Sequence, residues 1–163
     1  FRWKKTRKSK GQFYQTMATE MDRLATEVPG AGCRYYGLAA QALNATINLV
    51  HENRLTRQQF VMFQLADMMA FTEVGVSFGR KAVNLKAAGD PAAEKIRLMS
   101  RIFANDVAQL VAGNALAIIS GCGLFDNDAI AAFKEEIGYE ALIASQEGII
   151  ETMDKIADIL FER

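Results

Sequence analysis

Apolar residues along this chain recur at steps of three and four, the spacing that lines one side of an α-helix. Phe13, Met17, Met21, Leu24 and Val28 set out a first helix over about residues 12–28, which Pro29-Gly30-Ala31-Gly32 ends sharply. A second, over about 33–53, carries Tyr36, Leu43, Ile47 and Val50 on one side. Ala39, Ala40, Ala42 and Ala45 around them are small enough to admit a neighbouring helix. Two far longer segments follow, over about 57–88 and 92–120, joined by the tight Ala88-Gly89-Asp90-Pro91 turn. In the first, Val61, Leu65, Met68, Thr72, Val76 and Val83 make one face, and Phe60, Phe63, Phe71, Val74, Phe78 and Leu85 make another. A helix apolar on two faces is expected at the centre of its bundle. In the second, Ile96, Met99, Phe103, Val107, Leu110 and Val111 are expected to point inward.

The stop and start signals agree with this division. Thr56 is a plausible N-cap for the first long helix, and Asp90, ahead of Pro91, for the second. Gly75 and Gly79 each cost about 1 kcal/mol relative to alanine in a helix interior, a cost expected where a crossing helix presses on the backbone. Ser120-Gly121-Cys122-Gly123 ends the second long helix, and Asp126 or Asn127 then caps a short helix running to about Ile137. A last helix, over about 140–161, is expected to bury Leu142, Ile149, Ile150, Met153, Ile156, Ile159 and Leu160.

At ~1.5 Å per residue, helices of roughly 30 residues reach ~45 Å, and two of them on a short loop fold back as an antiparallel hairpin. Half of the 163 residues are apolar, only two are proline, and no alternating strand-like run occurs. The expected class is therefore all-α, an antiparallel helical bundle with a four-helix core and two long central helices. Residues 1–11 read as a basic linker or arm and residues 12–163 as a single helical domain. The chain starts at Phe1 rather than a methionine, which suggests a piece cut from a longer polypeptide.

Net charge is zero but unevenly spread. Six of the first ten residues are Lys or Arg and none is acidic, leaving the rest with thirteen basic and nineteen acidic residues. Such an arm, with Phe1 and Trp3, suits either a solvated linker or an anionic membrane surface. No helix carries a Lys/Arg stripe, so nucleic acid is not an expected partner. No uninterrupted apolar stretch reaches the ~20 residues of a membrane span. Val107 to Ile119 comes nearest, broken by Gln109, Gly113 and Asn114. Cys33 and Cys122 are too few for a disulfide framework and read as small buried residues of a reducing, cytoplasmic compartment.

Candidate chemistry is sparse. His51 is the sole histidine, which excludes the paired Glu-x-x-His sites of a di-iron bundle, and it reads as an exposed residue at a helix C-terminus. No phosphate-binding loop occurs, and no metal site is expected. Asp67 and Asp106 are the acids most embedded in apolar sequence. Buried acids can be catalytic, but each of these is expected to pair with an arginine, for which Arg80, Arg97 and Arg101 are available, or to cap a neighbour.

Leu55-x-x-x-Gln59-x-x-x-Phe63-x-Leu65-Ala66-Asp67-Met68 resembles the opening of the first hairpin helix in the C-terminal domain of acyl-CoA dehydrogenases. Arg80-Lys81-Ala82 and Arg101-Ile102-Phe103-Ala104-Asn105-Asp106-Val107-Ala108 resemble later parts of the same hairpin, and Ser120-Gly121-Cys122-Gly123 falls where that family has a diglycine turn. The similarity spans about residues 55–123. On that resemblance, Ser120, Gly121 and Gly123 are candidates for touching a flavin, and Glu147-Gly148 matches the Glu-Gly that holds the family's catalytic base. Several family features are replaced. His51-Glu52-Asn53-Arg54 stands where an Arg-x-x-Phe-Gly signature belongs, Ala117 where a flavin-contacting glutamine belongs, and Ser120 and Cys122 interrupt the glycine turn. Glu147 therefore reads as an ordinary polar position of the last helix.

The pattern is closest to the extra C-terminal helical domain of very-long-chain type enzymes, which resembles a duplicated bundle stripped of catalytic residues. The resemblance implies that FAD and the base belong to the N-terminal catalytic core of the same polypeptide, and that this part packs against that core, a second copy or a membrane surface. The alternative is a free-standing helical interaction module with a lipid-contacting basic arm.

Overall fold

A computed structural model describes residues 11–161 of the chain, so all of the basic arm but Gly11 lies outside the described residues. Helices α1 (Gln12–Glu27), α2 (Cys33–Glu52), α3 (Gln59–Ala87) and α4 (Ala93–Gly121) form the bundle. The shorter α5 (Asn127–Glu136), α6 (Tyr139–Ile143) and α7 (Ile149–Leu160) complete it, and no strand occurs among the described residues. The all-α bundle anticipated from periodicity is the observed architecture.

The centre is shared by α2, which packs against α1, α3 and α4, and α4, which packs against α2, α3 and α7. Their alanines make this possible: Ala39, Ala40 and Ala42 of α2 are fully buried, as are Ala104, Ala108, Ala112 and Ala115 of α4. Small side chains on both helices let the two backbones come close. Hence α4 turns Leu98, Val107 and Val111 inward with those alanines, whereas Met99 is exposed and Ile96, Phe103 and Leu110 are only half-buried. Part of the expected inward set is corrected accordingly.

Tyr36 ties three helices together. Its fully buried ring lies against Gly75 and Gly79 of α3, so close that a Cβ built on Gly75 would stand 2.5 Å from two ring carbons. Its hydroxyl donates to the Ser100 carbonyl of α4 at 2.8 Å, and Ser100 Oγ in turn donates to the Ala31 carbonyl at 2.7 Å. The two mid-helix glycines thus admit a crossing helix, as their spacing suggested. On the outer side, α1 is fastened to α3 by Tyr14 donating to Glu73 (3.1 Å) and by the two-pronged Arg80–Glu20 pair (2.7 and 2.5 Å).

Helix α3 is not the central helix that its two apolar faces suggested. One face is buried as expected, but on the other Phe60 is 57% exposed, Phe63 61% and Val74 57%. The centre is already filled by α2 and α4, and the second face of α3 is left outside it. By length and composition α3 and α4 could each cross a membrane, although neither has the uninterrupted apolar run used as the criterion above. Arg80 and Lys81 in α3, and Arg101 and Asp106 in α4, interrupt both helices with charge.

Three local expectations are revised. Thr56 lies inside a short 3₁₀ turn, Leu55–Arg57, and α3 starts after Gln58 without a side-chain cap. Asp90 accepts the Ala92 N–H at 2.8 Å in the turn before α4 rather than capping the helix itself. Asp126 does cap α5, accepting from Ala129 N–H at 2.8 Å. The anticipated last helix is broken into α6, a 3₁₀ turn over Ala144–Gln146, and α7. The break falls at Glu147-Gly148, where Gly148 adopts the left-handed φ of 70° that glycine takes without steric cost. Leu142 and Ile156 are buried, but Ile149 is half-buried and Ile150, Met153, Ile159 and Leu160 are exposed. Helix α7 rests on α4, with the rest of its apolar surface uncovered.

Candidate functional site

Two places were singled out by sequence, and the fold sets them far apart. The turn with Ser120, Gly121 and Gly123 closes the C-terminal end of α4. Cys122 N–H bonds back to the Ile118 carbonyl at 3.2 Å, and Gly123 turns the chain with a left-handed φ. Ser120, Gly121 and Gly123 are all exposed, and a Cβ added at either glycine would meet nothing within 4 Å. Ala117, one turn earlier, is also exposed and offers no hydrogen-bonding side chain. An isoalloxazine needs donors and a surface to lie on. This turn presents an open bend with one hydroxyl, and its residues do not fit a flavin.

Glu147 stands at the other end of α4, outside any helix. Its carboxylate is exposed, while its carbonyl accepts from Arg101 Nη2 at 2.9 Å. The same nitrogen donates to the Ser145 carbonyl at 2.6 Å, and the guanidinium lies 4.8 Å from the centre of the Tyr35 ring. Arg101 Nη1 is buried without a hydrogen-bond partner. Contact with the ring face offsets part of the cost of its desolvation. Around this grip, Gln109 Nε2 donates to Ser145 Oγ (3.0 Å), Ser145 Oγ to Asn105 Oδ1 (3.1 Å), and Gln146 Nε2 to Gln109 Oε1 (2.8 Å). This network is what bends the chain at 144–148, and it was missed as a unit in the sequence. Its signal was present: Arg101, Asn105 and Gln109 recur every fourth residue as a polar stripe on a largely apolar helix.

From Arg101 to Ser120 the rise of α4 amounts to roughly 30 Å. A single copy therefore cannot bring Glu147 and the Ser120 turn to one reacting centre.

The remaining candidates are structural. Asp67 and Asp106 are exposed and form no ion pair among the described residues; Arg80 pairs with Glu20, Arg97 with Glu94, and Arg101 with backbone carbonyls. The expected acid–arginine pairs are thereby corrected: both acids face solvent, out of reach of those arginines. His51 is half-buried in the last turn of α2. Cys33 is buried and Cys122 only half-buried. A cleft of about 300 Å³ beside the α1–α2 turn is lined by Cys33, Arg34, Tyr35 and Arg101. Burial pushes the Cys33 thiol up to about 11, which keeps it protonated and non-nucleophilic at neutral pH. Burial likewise raises the Tyr36 phenol. Among the described residues no group of three His, Cys, Asp or Glu side chains could hold a metal ion.

Comparison with known families adds one finding. The family model described as "Acyl-CoA dehydrogenase, C-terminal domain" matches residues 17–144, well beyond the stretch whose motifs carried the resemblance. The match ends just before Glu147-Gly148. No curated protein and no solved structure matches the chain.

Proposed function

Because this chain belongs to the acyl-CoA dehydrogenase family through its C-terminal helical domain, we propose that it is a non-catalytic packing domain of a flavin-dependent acyl-CoA dehydrogenase, of the kind appended to very-long-chain type enzymes. The whole enzyme would remove hydrogen from the α and β carbons of a fatty acyl thioester. FAD, when bound, supplies the hydride acceptor for that reaction. On this reading the flavin seat and the base lie in the catalytic core of the same polypeptide, and the present helices stabilise or position that core.

The observation that supports it is the bare turn at Ser120–Gly123 with Ala117 beside it: the bundle persists where the family's flavin contacts would stand, and the contacting side chains do not. The uncovered apolar faces of α3 and α7 supply surface for packing against a partner. Purified by itself, the chain is expected to be colourless and inactive towards fatty acyl-CoA with an artificial electron acceptor. Stoichiometric flavin in the purified protein would sink the proposal.

A second reading rests on the break at Glu147-Gly148, which leaves that carboxylate free of any helix and available as a base. It needs a flavin held elsewhere than at the Ser120 turn. Glu147→Gln in the whole enzyme discriminates: abolished turnover with flavin retained favours the second reading, and unchanged turnover favours the first.

A further inference from the structure

The cleft of about 300 Å³ beside the α1–α2 turn gathers positive charge that has no counter-charge among the described residues. Two guanidinium groups, Arg34 and Arg101, line it, and no acidic residue does. Arg34 is exposed on the first turn of α2 and forms no ion pair among the described residues. Arg101 uses Nη2 for two neutral carbonyls, and its Nη1 is shut off from water without an acceptor. An unsatisfied buried charged group is costly, and an anion drawn against this guanidinium supplies the charge that the fold does not.

The backbone adds to the same field. The first amides of a helix have no intrahelical acceptor and carry the positive end of its dipole. At the start of α2, a helix of 20 residues, Gly32 is the N-cap, no side chain caps it, and the first turn holds no acid. Gly32, Cys33 and Arg34 all line the cleft, so this helix end opens on it. The turn before it is fastened to α4: the Gly30 carbonyl accepts from Arg97 Nη1 at 3.1 Å and the Ala31 carbonyl from Ser100 Oγ at 2.7 Å. The turn therefore holds its shape without a ligand. Ala25, Val28 and Pro29 supply the apolar part of the lining.

Two cations and a helix N-terminus suit a dianion better than a carboxylate, and a phosphate group carries about −1.5 to −2 at pH 7. At ~30 Å³ per molecule the cleft has the space of about ten waters, more than one phosphate group fills. We infer that this cleft binds a dianionic phosphate group, with Arg34, Arg101 and the α2 N-terminus drawing it in and room beside it for a small apolar substituent. The site is separate from the packing role proposed above.

The test is a ¹⁵N NMR titration of the whole chain with phenyl phosphate and with inorganic phosphate at constant ionic strength. Saturable shifts of the Cys33 and Arg34 amides and of the Arg101 side chain are expected with both. Tighter binding of phenyl phosphate assigns the site to a monoester, and equal binding assigns it to the free anion. Arg34→Ala should weaken binding about fivefold or more, and Arg34→Lys should restore part of it, being a cation without the planar fork. Arg57→Ala, an exposed arginine beyond the far end of α2, should change nothing. Because Arg34 is exposed, its replacement should leave the rest of the spectrum in place. Shifts confined to residues 1–10, where six Lys or Arg attract any anion, would overturn the site. So would shifts that never saturate, or an affinity untouched by Arg34→Ala. None of these results bears on the flavin measurement that tests the packing role.

Discussion

Replacing Gly75 by alanine tests the packing of the bundle at its tightest point. A helical glycine-to-alanine change ordinarily stabilises by about 1 kcal/mol. At Gly75 the new methyl would stand 2.5 Å from Cδ1 and Cε1 of Tyr36, well inside van der Waals contact. The ring cannot swing aside, because it is fully buried and its hydroxyl is held by the Ser100 carbonyl at 2.8 Å. Relief requires α2 and α3 to separate or the Tyr36 hydrogen bond to stretch. Overpacking of this kind costs about 1–3 kcal/mol, and a weakened buried hydrogen bond adds about 1 kcal/mol. Set against the propensity gain, the net loss is about 1–3 kcal/mol, or roughly 3–10 °C in Tm for a domain of this size. Gly113 of α4 is the control, since a Cβ there meets nothing within 4 Å and Gly113→Ala should stabilise by about 1 kcal/mol. Thermal or urea unfolding followed by circular dichroism reads both. If Gly75→Ala matches Gly113→Ala in sign, Gly75 is not the seat of Tyr36 and the close crossing of α2 and α3 is wrong.

Two further outcomes follow from ionisation. The Cys33 thiol is raised by burial to about 11, so the unfolded chain loses that proton first as pH rises. The contribution is complete below the unfolded thiol's pKa and is lost as pH climbs towards 11, by up to about 1.4 kcal/mol per pH unit for one group. Cys33→Ala should flatten the alkaline limb of a stability–pH curve, and an unchanged limb would show that Cys33 is not buried in this way. The Glu20 carboxyl is lowered, chiefly by its hydrogen bonds from Arg80, so its contribution is present above the usual carboxylate pKa and is lost on acidification. The pair is partly exposed, with side-chain exposures of 42% for Arg80 and 30% for Glu20, so solvent screens it and it is worth under about 1 kcal/mol. Glu20→Gln should therefore cost little at pH 7 and progressively less as pH falls below the usual carboxylate range, and a loss that does not diminish on acidification would refute the linkage.

The first four helices, the long hairpin, the cap at Asp126 and the purpose of Gly75 and Gly79 were legible from periodicity and turn residues, because these are local properties of the chain; the division of the last helix into two was not. Which helix sits at the centre was not. Hydrophobicity favoured α3, yet the alanines of α2 and α4 decide the matter by allowing close approach, and a moment of apolarity does not register smallness. The same blindness explains Phe60 and Phe63, apolar and outside. The break at Glu147-Gly148 was hidden because its cause lies forty-odd residues away, in the side chains of Arg101 and Gln109. Of the proposed site, the turn at Ser120 was correctly placed at the end of α4, but its openness is a tertiary fact that the sequence does not contain.

Arg101 holds the chain at 145 and 147 by carbonyl oxygens, which every residue type possesses. The clamp is thus indifferent to what side chain stands at position 147. A lineage could discard or restore an acid there without loosening the scaffold, and could trade chemistry for architecture in a single substitution with no penalty in foldedness.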